Sequence, residues 1–199
     1  MTTLLDTAIV SALDYLQTFS NQENFWDLLT VPFGENIDRD RAAELREQWQ
    51  TGDFSHLPPV IITDELGAAS GGYAASTDII YLSQSLLDSG DQAQIVAVLL
   101  EEIGHSVDAQ INTTDAPGDE GAIFSALVRG ESLSAATLAT LREEDDSAMV
   151  SLNGEMLTLE QAVIVGANEI IITTNANGAH SVFAADVDGD GDTDILSAS

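Results

Sequence analysis

Towards its C-terminal end the chain places an aspartate at every second position: Asp186, Asp188, Asp190, Asp192 and Asp194, with Gly189 and Gly191 between them. Few patterns restrict a backbone as strongly. In a strand, alternate side chains share one face, so these charges would stack. A tight loop bent at its glycines instead aims several carboxylates at one centre. A hard cation needs that arrangement, since calcium takes roughly six to eight oxygen ligands. Asp186, Asp188, Asp190 and Asp194 are expected to bind Ca2+ through their side chains, and Asp192 through its carbonyl. Without a cation the repulsion is uncompensated, so ordering should follow binding. A solvated acidic turn is the plain alternative.

The stretch matches an EF-hand loop only in its first half. Ser197 stands where an EF-hand places its bidentate glutamate. The flanks are β-type: Ile170–Thr174 before, and Ser181–Val182–Phe183 and Ile195–Leu196 around it. The run Asn177–Gly178–Ala179–His180–Ser181–Val182–Phe183–Ala184–Ala185–Asp186 resembles the start of an FG-GAP (VCBS-type) repeat. That resemblance implies part of a β-propeller blade with a calcium loop between strands, and a place in a longer array.

The formal charge is −29, from 34 acidic residues against five basic ones, all arginine. Such a field opposes nucleic acid and anionic membrane as partners and favours cations or a salty medium. A solubility signature is the alternative. The hydrophobic fraction of 44% is enough for a core, so this is not a disordered acidic tail. There is no cysteine, and hence no disulfide. No apolar run is long enough to span a membrane. The start, Met1 to Phe19, has no basic segment and carries Asp6 and Asp14, unlike a signal peptide. A calcium repeat nonetheless fits an extracellular or cell-surface setting, where calcium is abundant.

The pattern predicts an α+β domain over about 1–165 and a partial repeat over about 166–199. Helices are expected over Leu4 to Phe19, from Phe25, and from Asp38 or Asp40 through Trp49 to Gly52. Val60–Thr63 and Asp78–Leu82 read as strands, with Gly67 to Gly72 as a loop between them. Ser89 and Gln92 form a capping box for a long helix over Gly90 to Ile111. Further helices are expected over Asp119 to Arg129 and from Ser134 to about Glu144. Asn153–Gly154 marks a type I′ hairpin within Met149 to Leu159.

The long helix carries the other chemistry. Ile95 to Leu100 is apolar all round, and the run passes directly into Glu101–Glu102–Ile103–Gly104–His105–Ser106–Val107–Asp108. Burial of an unpaired carboxylate is costly unless it neutralises or finds a cation. Glu101 and His105 are four apart and share a face, with Asp108 close to it. A helical His-Glu-x-x-His run is the zinc motif of metalloproteases. Here Glu101 stands where that motif has its first histidine.

Gly71–Gly72–Tyr73 to Leu82 resembles the edge strand before a zincin's active-site helix. Gly118–Asp119–Glu120–Gly121–Ala122–Ile123–Phe124 resembles the downstream helix of a gluzincin. The resemblance implies a zincin-like fold, metal ligands at Glu101, His105 and Glu120, a general base at Glu102, and Asp108 orienting a ligand. It implies a metal-dependent peptidase acting on polypeptides. The extra carboxylate shifts preference from Zn2+ towards harder ions such as Mn2+. Three alternatives stay open at this level. Glu101 and Glu102 stand exposed at a helix end, His105 is a core histidine without metal, or a zincin-like scaffold serves as a non-catalytic calcium-binding or adhesion module. His56 reads as a loop residue and His180 as a packing residue.

Overall fold

The structure is a computed structural model that describes residues 3–162, 181–185 and 194–198. The chain divides into two compact units, Met1–Ile164 and Val165–Ser199. The first is a mixed α and β domain, with helices and a five-stranded sheet.

Helix α1, Leu4–Ser20, starts at a capping box between Thr3 and Asp6 and buries Ala8, Ala12, Leu16 and Phe19 along one stripe. Helix α2, Phe25–Phe33, and α3, Arg39–Thr51, follow. Asp38, rather than Asp40, caps α3, accepting from the amides of Asp40 and Arg41. Gly52 ends it in the left-handed conformation that glycine takes without a Cβ penalty.

Strand β1, Val60–Thr63, leads to β2, Gly71–Ala74, β3, Ile79–Ser83, and the short α4, Gln84–Asp88. The expected loop over Gly67 to Gly72 therefore ends in a strand. The sheet order is β1-β3-β2-β5-β4, where β4 is Ser147–Leu152 and β5 is Glu155–Glu160. The segment likened to an edge strand thus forms two interior strands, β2 and β3. The physical reason is the late hairpin: β5 pairs with β2 at Tyr73↔Glu160 and covers the flank that would have been free. Asn153 and Gly154 both have positive φ, at 51° and 83°, as a type I′ turn requires.

Helix α5, Gln92–Ile111, runs through the centre of the domain and crosses α6, Glu120–Val128. Helix α7, Ala135–Leu141, begins at a Ser134 cap. The core gathers around Phe124 of α6, whose ring centroid lies 5.8 Å from Phe19, 5.4 Å from Phe33 and 6.2 Å from Trp49. A smaller apolar cluster, including Leu66, Tyr81, Leu152 and Leu159, fastens the hairpin to the sheet. No helix among the described residues is long and apolar enough to cross a membrane.

In the second unit, β6, Ser181–Ala185, and β7, Asp194–Ala198, pair antiparallel, with Ala185 opposite Asp194.

Candidate functional site

The geometry of the site begins with two glycines. A Cβ on Gly104 of α5 would lie 2.9 Å from the Cα of Gly121, and one on Gly121 of α6 would lie 2.8 Å from the Glu101 carbonyl oxygen. Without those Cβ atoms the two helices touch backbone to backbone. That contact sets Asp119 and Glu120, at the start of α6, beside Glu101 and His105 of α5. Asp119 caps α6 through the Ala122 amide at 2.7 Å and is itself buried.

The hairpin closes the other side. Its register pairs Ser147 with Glu160, and the Gln161 amide donates to the Asp146 carbonyl. Asp146 and Glu160 therefore sit together at the hairpin's open end. The exposed Asp145 carboxylate accepts from the amide and hydroxyl of Ser147, while Asp146 turns inward.

His105 is fully buried at the centre. Its Nδ1 lies 2.7 Å from Glu120 Oε1. Glu160 Oε2 is 2.9 Å from the same nitrogen but makes no hydrogen bond. On the opposite side Nε2 lies 3.5 Å from Asp146 Oδ2, and neither atom has a hydrogen-bond partner. That separation exceeds the usual range for a good N–H···O bond, about 2.7–3.2 Å. A Cβ on Gly121 would fall 2.5 Å from Nε2, so only glycine lets the ring lie this close to α6.

Burial first opposes a charge on His105, but the Glu120 and Glu160 carboxylates outweigh it and hold the imidazole well above its ordinary pKa. Burial pushes Glu101 up to about 8, with Asp119 adding to it. Burial likewise raises Glu120 to about 7, against His105, and Asp146 to about 6. Acids crowded into one buried space are being held towards their protonated forms, and a cation would release them.

Among the described residues, metal-ligating atoms converge in three groups, each with its atoms within 4.8 Å of one another: Glu101, His105 and Asp119; His105, Glu120 and Asp146; and Asp108, Asp115 and Glu120. The residues fit a divalent cation on two counts: an orphaned buried imidazole nitrogen and an orphaned carboxylate oxygen facing it. Asp119, Asp146 and Glu160 were not among the residues singled out from sequence. Asp119 was legible only as an acid at a helix start, and Asp146 and Glu160 carry no such signal.

Of the residues named from sequence, Glu101 and Glu120 each converge with His105, but in different groups. Glu102 falls outside the three groups. It is fully buried, with Oε1 accepting from the Ala162 amide at 3.2 Å and Oε2 unpartnered. It packs against β2, where a Cβ on Gly71 would run into its Oε1. Burial raises its pKa well above the usual carboxylate range. Asp108 accepts from Asn112 Nδ2 at 2.7 Å and from the Ala116 amide at 3.2 Å. Its hydrogen bonds thus fasten the loop into α6 rather than orienting His105. His56 lies between α3 and β1 and accepts from Trp49 Nε1 at 3.1 Å.

Asp194 opens β7, and Asp186, Asp188, Asp190, Asp192 and His180 lie outside the described residues. Comparison of the chain with protein-family models, with curated proteins and with solved structures finds no match.

Proposed function

We propose that this chain is a cation-binding protein, with a divalent metal at the His105 cluster of its first unit and calcium at the acidic stretch of its second. The first site rests on one observation: a fully buried histidine whose Nε2 has no partner stands among carboxylates from α5, α6 and the β4–β5 hairpin. Burying so many acids is costly unless they take up protons or a cation. Glu101, His105 and Glu120 are the proposed ligands; Asp119 converges with the first two and Asp146 with the last two. The calcium site is supported by the alternating aspartates and by the pairing of Ala185 with Asp194, which brings the two ends of that stretch together. An extracellular, calcium-rich setting suits such a protein.

A zincin-like peptidase is the second proposal, suggested by Glu101 one helical turn before His105 on α5 and by Glu120 Oε1 at 2.7 Å from His105 Nδ1. A bound divalent ion supplies Lewis-acid polarisation and a more acidic water. Glu102 as general base must accept a proton from that water, and for this it has to leave the Ala162 amide. Without that movement the site is closed, as structural metal sites are. The non-catalytic module then follows, with the metal as a staple of a degenerate zincin-like scaffold.

Metal analysis tests both. The full chain carrying Asp188→Ala and Asp190→Ala, which disables the tail, is stripped with chelator and dialysed against Mn2+ or Zn2+. Stoichiometric retention that His105→Ala abolishes is the expected result. No retained metal refutes the first site. Peptide cleavage by the loaded chain that Glu102→Gln removes, with metal retained, supports the peptidase; a loaded chain that cleaves nothing leaves the staple. Calorimetry with calcium on the unaltered chain, repeated with Asp188→Ala, tests the second unit, and absence of heat with the unaltered chain counts against it.

A further inference from the structure

Asp146 and His105 face each other across a gap that neither fills. Nε2 and Oδ2 stand 3.5 Å apart, both buried and both without a partner. A hydrogen bond would close that distance. Two ligands of one tetrahedral metal, each at about 2.1 Å from it, stand roughly 3.4 Å apart. The Glu120 oxygen belongs to the same group of converging atoms. On the other side of the ring, Nδ1 is already engaged by Glu120.

We infer that Asp146 is itself a ligand of the cation, joining His105 Nε2, and that the bound ion ties the β4–β5 hairpin to the crossing of α5 and α6. This rests on the metal reading of the first unit and extends it to a residue outside the helical motif. The local backbone supports the assignment. Asp145 spends its carboxylate on the amide and hydroxyl of Ser147 and stays outside, which leaves Asp146 to point at the imidazole. The Gln161 amide holds the Asp146 carbonyl, so the side chain is presented from a fixed hairpin end. Glu160, across the register from Ser147, arrives on the Nδ1 side of the same ring. One imidazole with several carboxylates is a donor set open to Zn2+ in the tetrahedral geometry and, being rich in oxygen, to Mn2+, which serves as the probe below.

At this end the hairpin is also held by buried Leu159 and by the Ala162 amide on Glu102. Its link to β2 is the bridge Tyr73↔Glu160, and beyond it the Ala162 carbonyl accepts from Ser70 and Gly71. A cation at Asp146 would add to these ties and slow the opening of the hairpin.

The test uses the full chain with Asp188→Ala and Asp190→Ala. Mn2+ is titrated and free ion followed by its paramagnetic resonance signal, while hydrogen exchange is measured across residues 147–160 with and without Mn2+. The expected result is stoichiometric binding and slower exchange of the hairpin amides. Asp146→Asn should weaken binding by about 100-fold or more, on the scale set by losing even indirect support of a metal, and should remove the protection. Asp145→Asn should change neither. Asp146→Asn keeps the side chain's shape and removes a buried charge, so without metal it should melt no lower than its parent. A lower melting temperature without metal would mark Asp146 as merely structural and overturn the inference. Equal Mn2+ affinity in Asp146→Asn overturns it and leaves the metal site standing. A folded parent that binds no Mn2+ overturns both.

Discussion

At Gly121 a methyl group would meet His105 Nε2 at 2.5 Å and the Glu101 carbonyl oxygen at 2.8 Å. An alanine in a helix ordinarily gains up to about 1 kcal/mol over glycine. Here the overlap reverses the sign, because the atoms it meets are a buried ring and a backbone oxygen. Gly121→Ala is expected to destabilise the fold by about 1–3 kcal/mol, measured by chemical denaturation, and to weaken metal retention with it. A variant as stable as its parent would mean that α5 and α6 are free to separate. Single residues were legible to different degrees. Glu101 and His105 announced themselves by helical spacing within an apolar run. The role of Glu102 did not: adjacency in sequence gave it a catalytic analogy, while the fold turns it towards Gly71 and Ala162. Asp119, Asp146 and Glu160 carry no local motif, because their convergence is made by a helix crossing and a strand register.

Among the elements, α5 shows how a correct helix can carry a wrong cap. The sequence offers Ser89 and Gln92 as a capping box, yet Asp91 is the cap, accepting from the amides of Ala93 and Gln94. Ser89 ends α4 instead, its hydroxyl donating to the Leu86 carbonyl at 2.6 Å, and Gln92 donates to Ser11 of α1. The unforeseen α4 is the reason: one short helix before α5 takes the serine for its own end. Asp91→Ala is expected to cost about 1 kcal/mol, and Gln92→Ala less, in thermal or chemical unfolding. The opposite ranking would restore the capping box. Helix α1 was legible because its burial at Ala8, Ala12, Leu16 and Phe19 follows its apolar spacing. The β4–β5 hairpin was legible from Asn153–Gly154. Its partner was not, since pairing β5 with β2 joins residues far apart in sequence, and no local pattern encodes that choice.

Across the whole molecule, 34 acidic residues face five basic ones, and several of the acids are buried around His105. Sodium chloride should raise the melting temperature by screening the surface charge, with a screening length of about 10 Å at 0.1 M. Dependence on pH follows from the buried acids. In the folded chain Glu101 is raised to about 8, Glu120 to about 7, and Asp108 and Asp146 to about 6. Unfolded, the same groups lose their protons near 3.8 for aspartate and 4.5 for glutamate. Between those limits the folded state binds more protons than the unfolded state, so stability falls as pH rises. His105 acts in the same direction: its folded pKa is raised, so its contribution is complete below 6.5 and lost as pH climbs through the folded value. His56 opposes them, since burial lowers its pKa and its contribution is lost as pH falls below 6.5, but it is one half-buried group against several. The chain in chelator should therefore melt higher at pH 5 than at pH 8. Metal reverses the logic, because ligands must shed protons to bind it and binding strengthens with pH. Saturating Mn2+ should accordingly raise the melting temperature far more at pH 8 than at pH 5. Calorimetric scans at the two pH values, with chelator and with Mn2+, give the answer. A melting temperature in chelator that climbs from pH 5 to pH 8 would mean that the acids around His105 are already ionised and compensated within the fold, and the case for a cation there would fall with it.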